Sequence, residues 1–154
     1  MEYEYSFKVN SLDKYINYCK KNNYELVEET NQTRILYKNN NGTIARVTTK
    51  ENNNIKNTYL DFKDDNNSDE ILKVSRETIP LEVTDENKKA INSILDMLGY
   101  QKEKTLIRNR VVYKKDDVTF EIDDYIEPKM KVVAIEGIKE EVDKVYQFLK
   151  NINE

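Results

Sequence analysis

The sequence predicts an α+β domain built on an antiparallel sheet, and three observations carry that expectation. Apolar and polar residues alternate along many short stretches. Turn-like segments, not helical crossovers, join most of these stretches. Only three stretches carry helical spacing. The elements run β-α-β-β-β-β and then α-β-β-β-α. Two halves, each with a helix and a meander of strands, suggest a pseudo-duplicated chain. Its 154 residues suit one domain, 1–154.

Residues 2–9, EYEYSFKV, set the pattern. Glu2, Glu4, Ser6 and Lys8 share one face, and Tyr3, Tyr5, Phe7 and Val9 share the other. Ser11 can cap a helix whose Leu12, Tyr15, Ile16 and Cys19 follow i, i+3, i+4, i+7, and Asn22 and Asn23 end it. Cys19 is then a small core residue. Residues 24–38 read as one bent strand or two short ones. NNNG at 39–42 reads as a hairpin turn and 43–49 as the returning strand. ENNNIKN at 50–56 reads as a polar loop, 57–63 as a strand, DDNNSDE at 64–70 as a loop and 71–79 as a strand. Thr84 starts a second helix with Ile91, Ile94, Leu95 and Leu98 as its stripe, and Gly99 closes it. Strands follow at 103–114, 118–124 and 131–136, with a turn at 115–117 and a loop holding Pro128. A last helix, 139–150, buries Val142, Val145, Tyr146 and Leu149.

Composition narrows the chemistry. No run of eighteen apolar residues exists, so no membrane span is expected. Residues 1–15 carry Glu2 and Glu4 and no apolar segment, so a cytoplasmic location is expected. One cysteine excludes an internal disulfide and a cysteine-based zinc cluster. The absence of histidine removes imidazole acid–base catalysis. A net charge of -4 argues against nucleic acid as the main partner. Carboxylates, Lys, Arg and Tyr remain, a set suited to hard metals and phosphate.

The charged strand faces are the functional signal. All five arginines, Arg34, Arg46, Arg76, Arg108 and Arg110, fall inside predicted strands, where a solubilising charge is least needed. A planar guanidinium fits phosphate oxygens and stays charged when desolvated. Arg108 and Arg110 share a face, as do Glu2 and Glu4, and Glu121 and Asp123. Carboxylates two residues apart on a strand lie roughly 7 Å apart on one side and can hold a divalent ion with help from a facing strand. Alternation alone leaves open whether these faces meet bulk water or line the interior of a closed sheet. Asp61 and Glu77 fit the alternation of their neighbours poorly and receive no role.

These residues resemble the CYTH superfamily, the triphosphate tunnel metalloenzymes. Its opening Glu-x-Glu-x-Lys is met by Glu2 and Glu4, with Ser6 in place of the lysine and Lys8 one pleat further along the same face. IARVTTK resembles its basic strand, with Arg46 matching and Thr48 where a second arginine is expected. YLDFK supplies Lys63, KVSRETI supplies Arg76, and RNR supplies Arg108 and Arg110. VVYKKDDVTFEIDD leads to Asp123, and the closing Glu-x-Glu-Gly is met only by Glu136 and Gly137.

The resemblance implies a closed eight-stranded antiparallel β-barrel with flanking helices, the triphosphate tunnel fold. It implies that Glu2, Glu4, Asp123 and Glu136 hold Mg²⁺ or Mn²⁺. Lys8, Arg46, Lys63, Arg76, Arg108 and Arg110 would bind phosphate, and Glu2, Glu4, Arg76 and Arg110 would be catalytic. The implied partner is a triphosphate-containing small molecule, and a homodimer is consistent with the cyclase branch. The expected activity is hydrolysis of a terminal phosphoanhydride. Cyclisation of ATP to cyclic AMP and pyrophosphate, as in class IV adenylate cyclases, is the alternative. The missing lysine and carboxylate leave a third reading, a catalytically weakened nucleotide or polyphosphate binder.

Overall fold

The computed structural model describes residues 2–65 and 71–152. Its elements are β1 (Glu2–Lys8), α1 (Asp13–Lys21), β2 (Glu25–Lys38), β3 (Thr43–Asn52), β4 (Ile55–Asp64), β5 (Leu72–Ser75) and β6 (Leu81–Val83). They continue with α2 (Lys88–Met97), β7 (Gln101–Lys115), β8 (Val118–Glu127), β9 (Met130–Gly137) and α3 (Lys139–Ile152). The strands form one antiparallel sheet in the order β5-β1-β9-β8-β7-β2-β3-β4-β6. β1 pairs with β9 from the other half of the chain, and β2 with β7, so the two halves interlock.

Among the described residues the sheet has nine strands where eight were expected, and its hydrogen bonds do not close it into a barrel. The cause lies in the stretch read as one strand over 71–79. Its first part, β5, pairs with β1. The chain then turns to β4, where Asp64 N–H donates to the Arg76 carbonyl at 3.2 Å and Thr78 N–H to the Phe62 carbonyl at 3.0 Å. A single bridge, Lys63 with Glu77, is all the ladder that forms there. Pro80 has no N–H to extend it, and pairing resumes as β6 on Leu60–Thr58.

Two other boundaries differ. ENNNIKN is the tip of a hairpin: β3 and β4 pair out to Asn52 and Ile55, and Asn53 and Asn54 make the two-residue turn with φ of 50° and 67°. Positive φ at both turn residues is what a right-twisted hairpin requires, and Asn tolerates it. Of the loop read at 64–70, residues 66–70 lie outside the described residues. Of residues 24–38, Glu25–Lys38 form one strand, bent by register shifts at Leu26/Glu28 and Leu36/Tyr37.

Helices cover one side of the sheet. Tyr5, Phe120, Ile122, Val133 and Ile135 pack against Tyr15 and Cys19 of α1 and Val142 and Leu149 of α3. Tyr5 stacks on Tyr146 with ring centroids 4.0 Å apart. A second cluster joins Ala45 and Leu60 to Ile91 and Leu95 of α2 and to Tyr100. Ile94 and Leu98, read as part of the α2 stripe, are instead exposed. Thr84 begins the approach to α2: its N–H donates to Asn87 Oδ1 at 2.7 Å, while its Oγ1 accepts from Asn87 N–H at 3.3 Å. Among the described residues no helix is long and apolar enough to cross a membrane.

Candidate functional site

With the apolar faces under helices, the polar faces turn inward. Residues from seven strands, β1–β4 and β7–β9, line one cavity of about 170 Å³. Its wall holds Glu4 and Ser6 of β1, Arg34 of β2, Arg46 of β3, Lys63 of β4, Arg108 and Arg110 of β7, Glu121, Asp123 and Tyr125 of β8, and Glu136 of β9, with Glu77 beside them.

The carboxylates gather at one place. Glu4 and Glu136 are register partners across β1 and β9, and Glu121 reaches them from β8. One oxygen from each lies within 4.8 Å of the others. Three hard oxygen donors at this spacing fit Mg²⁺ or Mn²⁺. Burial and then the Glu121 charge push the Glu136 carboxyl up to about 12. Burial is the largest influence on Glu121 and raises it, but Arg110, a hydrogen bond with Glu136, and the charges of Arg108 and Arg34 together outweigh it and hold the Glu121 carboxyl well below the usual carboxylate range. Glu136 is therefore the member of the trio that holds a proton when no cation is present.

The cations are mostly paired. Arg110 Nε and Nη2 donate to both oxygens of Asp123 at 2.7 and 2.8 Å, and Nη1 to Glu121 at 2.6 Å. Burial opposes the Arg110 charge, and these carboxylates more than offset it. Arg46 forms a two-pronged pair with Asp61 and lies 3.5 Å from Glu77. Lys63 Nζ lies 3.5 Å from the same Glu77 oxygen and 3.9 Å from Glu4. Arg108, 2% exposed, donates twice to Gln32 Oε1, at 3.0 and 2.8 Å, and once to Tyr125 OH at 2.7 Å.

Of the residues singled out in the sequence, Glu4, Arg46, Lys63, Arg108, Arg110, Asp123 and Glu136 meet in this cavity. Four stand differently from expectation. The Arg76 side chain is 76% exposed and pairs with Asp64, because the strand breaks at Ser75 and Glu77 takes the inward position. Lys8 is exposed and beyond the cavity wall. Asp123 is engaged by Arg110 and is outside the carboxylate trio. Glu2 is outside the trio too; burial and the charges of Glu77, Glu121 and Glu4 raise its pKa. Glu121, not Asp123, stands with Glu4 and Glu136 in the carboxylate trio. Its parity was visible in the sequence, but its closeness to Glu136 depends on the β8–β9 register, which alternation does not set. Gln32, Asp61 and Glu77 carried no recognisable signal.

No family model and no curated protein matches the chain. Solved structures do. A conserved hypothetical protein of Pyrococcus furiosus superposes with a TM-score of 0.77 at 24% identity, covering 97% of this chain and 91% of that one. HpAC1 of Hippeastrum, a candidate adenylyl cyclase described as having a dominant triphosphatase activity, gives 0.65 at 14%, covering 99% and 86%. A candidate adenylate cyclase of Vibrio parahaemolyticus gives 0.63 at 13%, covering 97% and 83%. The likeness is one of fold.

Proposed function

We propose that the protein is a divalent-metal-dependent enzyme that hydrolyses the terminal phosphoanhydride of inorganic or organic triphosphates. One observation carries this reading: three convergent carboxylates and a set of buried cations share a single cavity. Glu4, Glu121 and Glu136 would hold Mg²⁺ or Mn²⁺, which when bound polarises phosphoryl oxygens as a Lewis acid. Arg46, Lys63, Arg108 and Arg110 bind and orient the phosphate chain, a positioning role suited to phosphoryl transfer.

One comparison favours hydrolysis over cyclisation: the Hippeastrum protein of the same fold is described as having a dominant triphosphatase activity. The cavity continues into a second of about 240 Å³ that shares Arg34, Arg46, Glu77, Arg110 and Glu121 with it, so the substrate class includes organic as well as inorganic triphosphates.

Phosphate release from tripolyphosphate and from ATP, with Mg²⁺ or Mn²⁺, tests the proposal. Glu4→Gln and Glu136→Gln each lower the rate by about 10²-fold or more. Cyclic AMP as the main product from ATP transfers the assignment to a cyclase. Tight tripolyphosphate binding with neither product reduces it to a binder.

A further inference from the structure

Four guanidinium groups line the cavity, and one differs from the rest. Arg46, Arg108 and Arg110 each have an ion pair with a carboxylate, the Arg108 contact with Asp123 at 3.8 Å being the loosest. Arg34 makes no ion pair among the described residues. Among the described residues its side chain makes one hydrogen bond, from Nε to Thr48 Oγ1 at 2.9 Å. That bond engages Nε, and Arg34 is one of the residues lining the cavity.

We propose that Arg34 is a phosphate-binding residue whose counter-ion is the ligand itself, so that Arg34 with Arg108 forms a subsite for one phosphoryl group. The assignment rests on the triphosphate reading above and adds to it a contact that neither the motifs nor the fold assigns.

Three lines support it. Arg34 is half-buried, and a partly desolvated charge with no ion-pair partner among the described residues is one that an entering anion completes. Burial, then the charges of Arg108, Arg46 and Arg110, push the Arg34 guanidinium well below its usual range, and Glu121 opposes them. An entering anion relieves all four at once. Second, Arg34 and Thr48 are register partners across β2 and β3. Thr48 is the position where the sequence resemblance calls for a second arginine two residues after Arg46. The guanidinium missing from β3 is supplied from the facing strand, and Thr48, 4% exposed, holds it in place. Third, Gln32, two residues before Arg34 on the same face, fixes Arg108 through Oε1, so one face of β2 sets both guanidinium groups.

Titration calorimetry with tripolyphosphate and Mg²⁺ tests this, beside thermal unfolding of the ligand-free proteins. Arg34→Gln weakens binding by about tenfold to a hundredfold, as loss of a charge-assisted contact should. It leaves the ligand-free midpoint unchanged or higher, since a self-repelling charge has gone. The exchange variant Arg34→Thr with Thr48→Arg returns most of the affinity that Arg34→Thr loses, because the charge re-enters the cavity from β3. Wild-type affinity in Arg34→Gln overturns the assignment and leaves the triphosphate reading standing. A lowered ligand-free midpoint with no rescue in the exchange variant makes Arg34 a structural residue, which also overturns it. A wild-type protein that ignores tripolyphosphate removes both the reading and the subsite.

Discussion

Arg76 and Glu77 exchange the places that strand alternation assigns them. Glu77 offers one oxygen, 3.5 Å from both Arg46 and Lys63, while Arg76 pairs with Asp64 in solvent. An exposed pair of this kind contributes little. Arg76→Ala should therefore keep tripolyphosphate affinity within about twofold of wild type, as measured by calorimetry. A loss beyond tenfold returns Arg76 to the site. The same pair shows where sequence reasoning ran out. Glu4, Arg108 and Arg110 were legible because each lies within a long strand, where parity fixes the face. Glu77 was not, because a break one residue earlier reverses parity and a reading of single residues cannot detect it. Asp61 was passed over for a related reason: a carboxylate on an inner face makes sense only once Arg46 is known to stand opposite, and pairing partners are not written in one strand.

At the scale of elements, turns decided which segments were recognised. Asn-rich stretches read alike in sequence, yet Asn53-Asn54 closes a tight hairpin whose strands run through most of the segment read as loop. β6 was hidden behind Pro80, and the β5–β6 division followed from that. The end of β9 is constrained more tightly. Gly137 has φ of 147°, and a Cβ there would sit 2.0 Å from the Asp117 carbonyl oxygen. That oxygen belongs to backbone in the β7–β8 turn, so the clash has no flexible side chain to absorb it. Gly137→Ala should destabilise the fold by about 3 kcal/mol in urea unfolding, from strain plus overpacking. Its neighbour Glu136 belongs to the carboxylate trio, so metal affinity should fall with it. Unchanged stability would show that the turn can yield.

Across the whole molecule, an outer clasp ties β1, the strand that carries Glu4, to α3. Tyr5 OH donates to Asp143 Oδ1 at 2.6 Å, Lys139 donates to Asp143 Oδ2 at 2.7 Å, and the Tyr5 ring stacks on Tyr146. The Lys139 hydrogen bond and then that of Tyr5 hold the Asp143 carboxyl below its usual pKa. A depressed carboxylate lends stability above its unfolded pKa, and that stability is lost as pH falls through the folded value. Tyr5→Phe should therefore cost about 1 kcal/mol near neutral pH, with the difference from wild type narrowing in acid below roughly pH 4. Thermal midpoints across pH 3–8 follow it, and a pH-independent difference would separate the clasp from the Asp143 charge.

Glu4 comes from the first strand and Glu136 from the last, and the two are direct neighbours in the sheet. During synthesis the first of them leaves the ribosome long before the second exists. A nascent chain can complete the β2–β3–β4 ladder, with Arg34 and Arg46 on it, while the cation pocket still lacks two of its three walls. If the trio holds a metal as proposed, its capture waits on the late strands: a chain stalled before β8 has arginines to attract polyphosphate but only Glu4 of the three carboxylates.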